Sequence, residues 1–246
     1  LAFDRPLGVA GPYRRRKWTC EPTAIASLCA AIVAGSAEGE IEVPGGATSD
    51  PGGSPLPSEL FICTHGRRDT CCGGLGTPVF DVVQRRLVEA LPGSVDAVWR
   101  TSHTGGHKFA PTALSFPDGY AWAHLDADLA ERIARRSVPP TEVAAHCRGS
   151  AAFDLPPAQV ADREGLVAFG WDWANAERKA QVVAHERDTL RTVVAVSAQL
   201  NGEILGSVHV AVDLDRHIPQ PTCGRIDEPE FATSPVWKVA EVTINR

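Results

Sequence analysis

The sequence predicts an α/β layer, a mixed sheet with flanking helices, followed by a mostly β C-terminal region. Three observations point there. A short apolar run, Glu59 to Ile62, precedes an amphipathic stretch, Gly76 to Leu91, and a second strand-like run, Val95 to Thr101. Pro117-Asp118-Gly119 then separates two further short runs as a turn would. The C-terminal third alternates polar and apolar residues around Asn201-Gly202, the strongest short hairpin signal in the chain.

Trp18 to Gly35 reads as an Ala-rich helix closed by glycine, with Cys29 on it as a buried, inert thiol. Gly45 to Pro57 is a Gly/Pro/Ser loop. Glu59 to Ile62 reads as a buried strand whose end delivers Cys63. In the helix Gly76 to Leu91, Val79, Val82, Val83, Leu87 and Ala90 recur at three- and four-residue steps, while Asp81, Arg85, Arg86 and Glu89 face out. The strand Val95 to Thr101 ends at a polar loop, Ser102 to Lys108. Thr112 to Phe116 and Tyr120 to His124 form a hairpin, and Asp126 caps a helix to about Ser137. Strand, helix, strand, hairpin, helix is the order of a thioredoxin-like layer. Pro139 to Pro157 reads as a connector, and Val160 to Ala184 is ambiguous, with a helix expected over Asn175 to His185. Leu190 to Leu200, Glu203 to Leu214 and Val236 to Ile244 read as strands.

The chain has 246 residues, 43% apolar and 22% charged, an ordinary globular composition. A net charge of −6 argues against a nucleic-acid binder working by broad phosphate neutralisation. The basic run Arg14-Arg15-Arg16-Lys17 reads as a solvated face or a partner-docking patch. No apolar run reaches the length of about 18 residues that a membrane span needs, and Leu1 to Pro12 does not resemble a secretory leader. With no Met, even at position 1, the sequence is expected to begin downstream of a native start.

Seven cysteines do not suit a disulfide framework. Cys63, Cys71 and Cys72 cluster, whereas Cys20, Cys29, Cys147 and Cys223 are scattered and read as bystanders. A local cluster of this kind more often holds a metal or does redox chemistry, and the expected compartment is the cytoplasm. Two polar loops follow predicted strands: Cys63-Thr64-His65-Gly66-Arg67-Arg68-Asp69-Thr70-Cys71-Cys72-Gly73 and Ser102-His103-Thr104-Gly105-Gly106-His107-Lys108. They bring three Cys and three His to the carboxyl ends of strands, where α/β sheets place their sites. The Gly105-Gly106 pair puts His103 and His107 on a loop rather than on one helix face. Two thiolates and two imidazoles fit zinc or a [2Fe-2S] cluster. The eight residues between Cys63 and Cys72 suit a loop around a two-iron core better than a tight zinc knuckle.

Phe61-Ile62-Cys63-Thr64-His65-Gly66-Arg67-Arg68-Asp69, Cys72-Gly73, and Ser102-His103-Thr104-Gly105-Gly106-His107-Lys108-Phe109-Ala110-Pro111 together resemble the sucrase/ferredoxin-like family of thioredoxin-like ferredoxins. The resemblance is strongest over residues 58–125. It continues more loosely through His146-Cys147-Arg148-Gly149-Ser150 to Cys223-Gly224 and Val236-Trp237. It implies one [2Fe-2S] cluster held by Cys63, Cys72, His103 and His107, with Cys72 rather than Cys71 as the second thiolate. It also implies a thioredoxin-like ferredoxin domain over 1–140, followed by a C-terminal α+β region over 141–246 with a long hairpin. The word sucrase implies no glycosidase here, and no convincing carboxylate pair is present to support one.

Four thiolates around an oxidised two-iron core make a dianion, whereas two thiolates and two neutral imidazoles make a neutral site. An electron enters the neutral site more easily, so histidine ligation raises the potential. An imidazole also keeps a second ring nitrogen, which becomes more basic on reduction and couples electron uptake to proton uptake. The expected function is one-electron transfer, or redox sensing, with a protein redox partner, by a carrier rather than an enzyme. The rivals are a zinc-binding regulatory module on the same ligands and a thiol–disulfide enzyme using Cys71 and Cys72, which lacks a Cys-x-x-Cys spacing. Cys71 reads as a spare thiol or alternate ligand, and His65 as a hydrogen-bond donor to the site, an alternate ligand or a structural residue. Arg67, Arg68, Asp69 and Lys108 either balance the cluster's charge or form a solvated loop. His124, His146, His185, His209 and His217 read as structural or surface residues.

Overall fold

The computed structural model describes residues 1–6, 8–34, 48–50, 56–67, 69–91, 97–220 and 232–246. Gly35, Arg68, Cys223, Gly224, the start of the Val95 strand and most of the Gly45 to Pro57 loop lie outside the described residues. The elements are β1 (Ala2–Asp4), β2 (Arg14–Thr19), α1 (Ile25–Ala34), β3 (Thr48–Asp50), β4 (Glu59–Cys63), α2 (Thr70–Ala90), β5 (Val98–Thr101), β6 (Ala113–Phe116), β7 (Tyr120–Trp122), α3 (Ala127–Arg135), α4 (Pro140–Val143), β8 (Cys147–Ser150), α5 (Pro156–Phe169), α6 (Trp171–Asn175), β9 (Glu177–Glu186), β10 (Arg191–Leu200), β11 (Glu203–Gln220) and β12 (Ala232–Asn245).

The central sheet has the order β5-β4-β6-β7-β8. β4 and β5 are parallel, and α2 makes the crossover between them. β6 pairs antiparallel with β4, and β7 with β6. This is the thioredoxin-like layer expected from the element order. A C-terminal antiparallel sheet follows, β12-β11-β10-β9, with the β10–β11 hairpin turning at Asn201-Gly202. One buried apolar cluster runs from Leu60, Ile62 and Trp122 through Leu166 and Trp173 to Val194, Val196 and Val210. On α2 the buried stripe is Cys72, Gly76, Phe80, Val83 and Leu87, and each large apolar side chain in it contributes roughly 1.5–3 kcal/mol.

Four expectations need correction. Asn175 to His185 is not a helix but the edge strand β9. Its inward position carries Arg178 instead of an apolar residue, so the strand alternation is disguised. Arg178 is fully buried, paired with Asp162 at 2.9 Å, and donates to the carbonyls of Trp173, Ala174, Ala176 and Asp118. The segment read as a connector contains β8, a fifth strand of the central sheet, and leads into α5, which starts at Pro156 and Pro157. The helix expected from Trp18 begins only at Ile25, because Trp18 and Thr19 belong to the strand β2, where Arg14 and Arg16 reach Asp4 at 2.9 and 3.1 Å and Arg15 pairs with the buried Glu59. Cys29 is exposed rather than buried, because among the described residues α1 buries only Leu28.

Candidate metal centre

Cys63 pairs in register with Thr101 across the parallel strands. Cys63 and the loop from Ser102 therefore leave the same edge of the sheet side by side. The Cys63 amide donates to the Thr112 carbonyl at 2.9 Å and the Thr64 amide to the Thr101 carbonyl at 3.2 Å. These bonds fix the turn to both neighbouring strands. From there the chain enters α2 at Thr70, six residues earlier than the amphipathic pattern predicts, so Cys72 lies in the helix's first turn. Gly73-Gly74 and Pro78 are poor helix formers, but close packing requires glycine here. A Cβ on Gly76 would collide with the Cys63 carbonyl, and one on Gly73 would lie 2.6 Å from the Gly66 Cα. On the other side, Gly105 and Gly106 take φ of +84° and +72°, and Gly106 caps a single 3₁₀ turn, His107–Phe109.

These elements bring three donors together. The sulfurs of Cys63 and Cys72 and one ring nitrogen of His103 all lie within 4.8 Å of one another. Both thiols are buried, each 1% exposed. Burial pushes the Cys72 thiol well above its ordinary value, and the adjacent Cys63 pushes it further. A buried thiol pair of this kind gives up its protons when a cation supplies the compensating charge.

His107 falls outside this group of three. Its Nδ1 stands 3.9 Å from Asp69 Oδ1 and 3.8 Å from the Cys71 sulfur, which also contacts the His107 carbonyl at 3.5 Å. Asp69 Oδ2 lies 3.1 Å from His103 Nδ1, so one buried carboxylate faces both imidazoles. Asp69 occupies the N-cap position of α2, yet its side chain makes no capping bond. A carboxylate beside an imidazole can fix the ring's orientation. The sequence offered Asp69 only as one charge in a loop; its place just before the Cys-bearing helical turn is the signal that marks it.

His65 Nδ1 is buried and has no hydrogen-bond partner among the described residues. Arg67 is exposed. Partial burial and the neighbouring Arg148 push the Lys108 ammonium below its ordinary value. Cys20, Cys29 and Cys147 take no part in the donor group; burial pushes the Cys147 thiol up to about 12. His146 Nδ1 lies 3.1 Å from the Ala123 carbonyl and His185 Nδ1 3.0 Å from Thr192 Oγ1, which are structural contacts.

A thioredoxin-like layer with a Cys/His donor group at its strand ends defines an α/β protein with a possible metal site. The chain belongs to the sucrase/ferredoxin-like family, whose model matches residues 18–149, the stretch that carries both site loops. No curated protein and no solved structure matches it. Among the described residues, no helix is long and apolar enough to cross a membrane.

Proposed function

We propose that the protein is a one-electron carrier that binds a [2Fe-2S] cluster through Cys63, Cys72, His103 and His107. The observation that carries this reading is the convergence of Cys63, Cys72 and His103 within 4.8 Å, with Asp69 facing both histidines. The donor set fits: two buried thiols need a compensating cation, and imidazoles beside them complete a mixed sulfur–nitrogen set. Bound there, the cluster would supply reversible one-electron chemistry at a potential above that of an all-cysteine site. Cys63 and Cys72 hold the buried side. His103 and His107 would hold the side toward Asp69, whose carboxylate lies 3.1 Å from His103 Nδ1. A proton taken up at an imidazole nitrogen on reduction would make the potential pH-dependent. The 1–140 and 141–246 division is part of the same reading, with the second region supplying β8 to the metal-bearing layer.

A second reading has its own support. Three donors within 4.8 Å, with His107 outside the group, is also the arrangement of a single zinc ion with three protein ligands. Metal and sulfide analysis of the purified protein separates the two. The cluster reading expects about two irons and two acid-labile sulfides per chain. One zinc and no sulfide establishes the alternative.

A further inference from the structure

Beside the metal donors lies a cavity of about 860 Å3 between the His103–Phe109 turn, β8, α5 and the β11–β12 pair. That volume suits a small organic ligand. Its walls are mixed. Phe109, Val160, Ile218 and Val236 give an apolar face. Lys108, Arg148 and Arg216 bring three cations, against one acid, Asp69, which already faces the histidines. Arg216 is paired with Asp215. Lys108 and Arg148 have no carboxylate partner among the described residues, and both cations lie over the same Phe109 ring, at 5.0 and 4.8 Å from its centroid. A third donor lines the same cavity: the Trp237 indole N–H is buried and meets no acceptor among the described residues. Buried donors are nearly always paired, so a group of unmatched donors on one cavity wall marks a place for an acceptor.

We propose that this cavity binds a small organic anion. Its oxyanion head meets Lys108, Arg148 and the Trp237 N–H, and its apolar body lies along Val160 and Ile218. Inorganic phosphate alone would leave the apolar wall unfilled. Lys108, Arg148 and Trp237 are not among the proposed metal donors, so this site is separable from the metal's identity.

The test is 2-naphthoate binding to the full chain, followed by calorimetry and by tryptophan fluorescence, with metal content recorded on the same samples. One naphthoate should bind per chain, more weakly as salt rises. The neutral 2-naphthamide should bind about tenfold more weakly or worse. Arg148→Gln should weaken naphthoate about tenfold, and Arg148→Lys should recover part of the loss. Trp237→Phe, which keeps the shape and removes the N–H, should weaken it several-fold without changing the metal content. Absence of binding, equal binding of naphthoate and naphthamide, or affinity unchanged in both Arg148→Gln and Trp237→Phe would overturn the proposal, whatever metal the protein contains.

Discussion

Arg178 and Cys72 are both buried polar groups, and the fold treats them in opposite ways. Arg178, 0% exposed, is enclosed by the chain: Asp162, 2.9 Å from its Nε, balances its charge, and four carbonyls accept from its two terminal nitrogens. It sits where the N-terminal segment, the central sheet and the C-terminal sheet meet, through Ala10, Asp118 and β9. At the strand ends, Cys63 and Cys72 are buried against each other, and the Cys72 thiol is driven toward its neutral form. The nearby His65 Nδ1 is buried and makes no hydrogen bond among the described residues. A buried charge that holds a fold together is satisfied internally. The group proposed to take an ion from outside leaves a buried imidazole nitrogen, His65 Nδ1, unmatched among the described residues.

The largest effect should come from the open side. Cys63→Ser and Cys72→Ser should each lose essentially all bound metal while the chain stays folded, and Cys71→Ser should keep it; elemental analysis and circular dichroism check this. Full metal content in Cys72→Ser would erase the distinction. Next comes the closed side. Arg178→Met strips the counter-charge from buried Asp162 and should cost about 3–5 kcal/mol in denaturant unfolding. The fraction that remains folded should keep its metal. Gly76→Ala joins the two regions, because the added methyl meets the Cys63 carbonyl. Overpacking should cost about 1–3 kcal/mol and lower metal content together with stability. A stable Gly76→Ala protein with normal metal would show that the close approach of helix and loop is dispensable.

Much of this was legible. The strand ending at Cys63, the Pro117-Asp118-Gly119 hairpin, the Asp126 cap and the Asn201-Gly202 hairpin follow from local chemistry that tertiary packing does not oppose. The start of α2 was hidden because Gly73 and Gly76 serve packing against Gly66 and Cys63 rather than helix propensity. Extending the Phe80, Val83, Leu87 stripe back by four and then four residues reaches Gly76 and Cys72, and would have found it. Strand β9 was hidden by Arg178, whose partners are distant in sequence. Arg148 and Trp237 carried no signal of a shared cavity, since the sequence places them on separate segments.

The smallest predicted effect lies in the exposed part of the C-terminal sheet. A hydrogen bond and the charge of Arg191 hold the Asp213 carboxyl below its ordinary 3.8, with the pair at 2.7 Å. Because the folded value lies below the unfolded one, the pair contributes stability above about pH 3.8 and loses it as the pH falls through the folded value. Arg191→Gln should therefore be slightly less stable than the parent at neutral pH, and the gap should close in acid. A gap that widens in acid would reverse the sign assigned to this pair.

The most direct measurement is an electron paramagnetic resonance spectrum of the dithionite-reduced protein, with hyperfine analysis for directly bound nitrogen. A cluster on Cys63, Cys72, His103 and His107 predicts a spin-one-half signal coupled to two imidazole nitrogens. A protein that contains zinc and gives no signal, or a cluster signal without nitrogen coupling, would contradict that assignment.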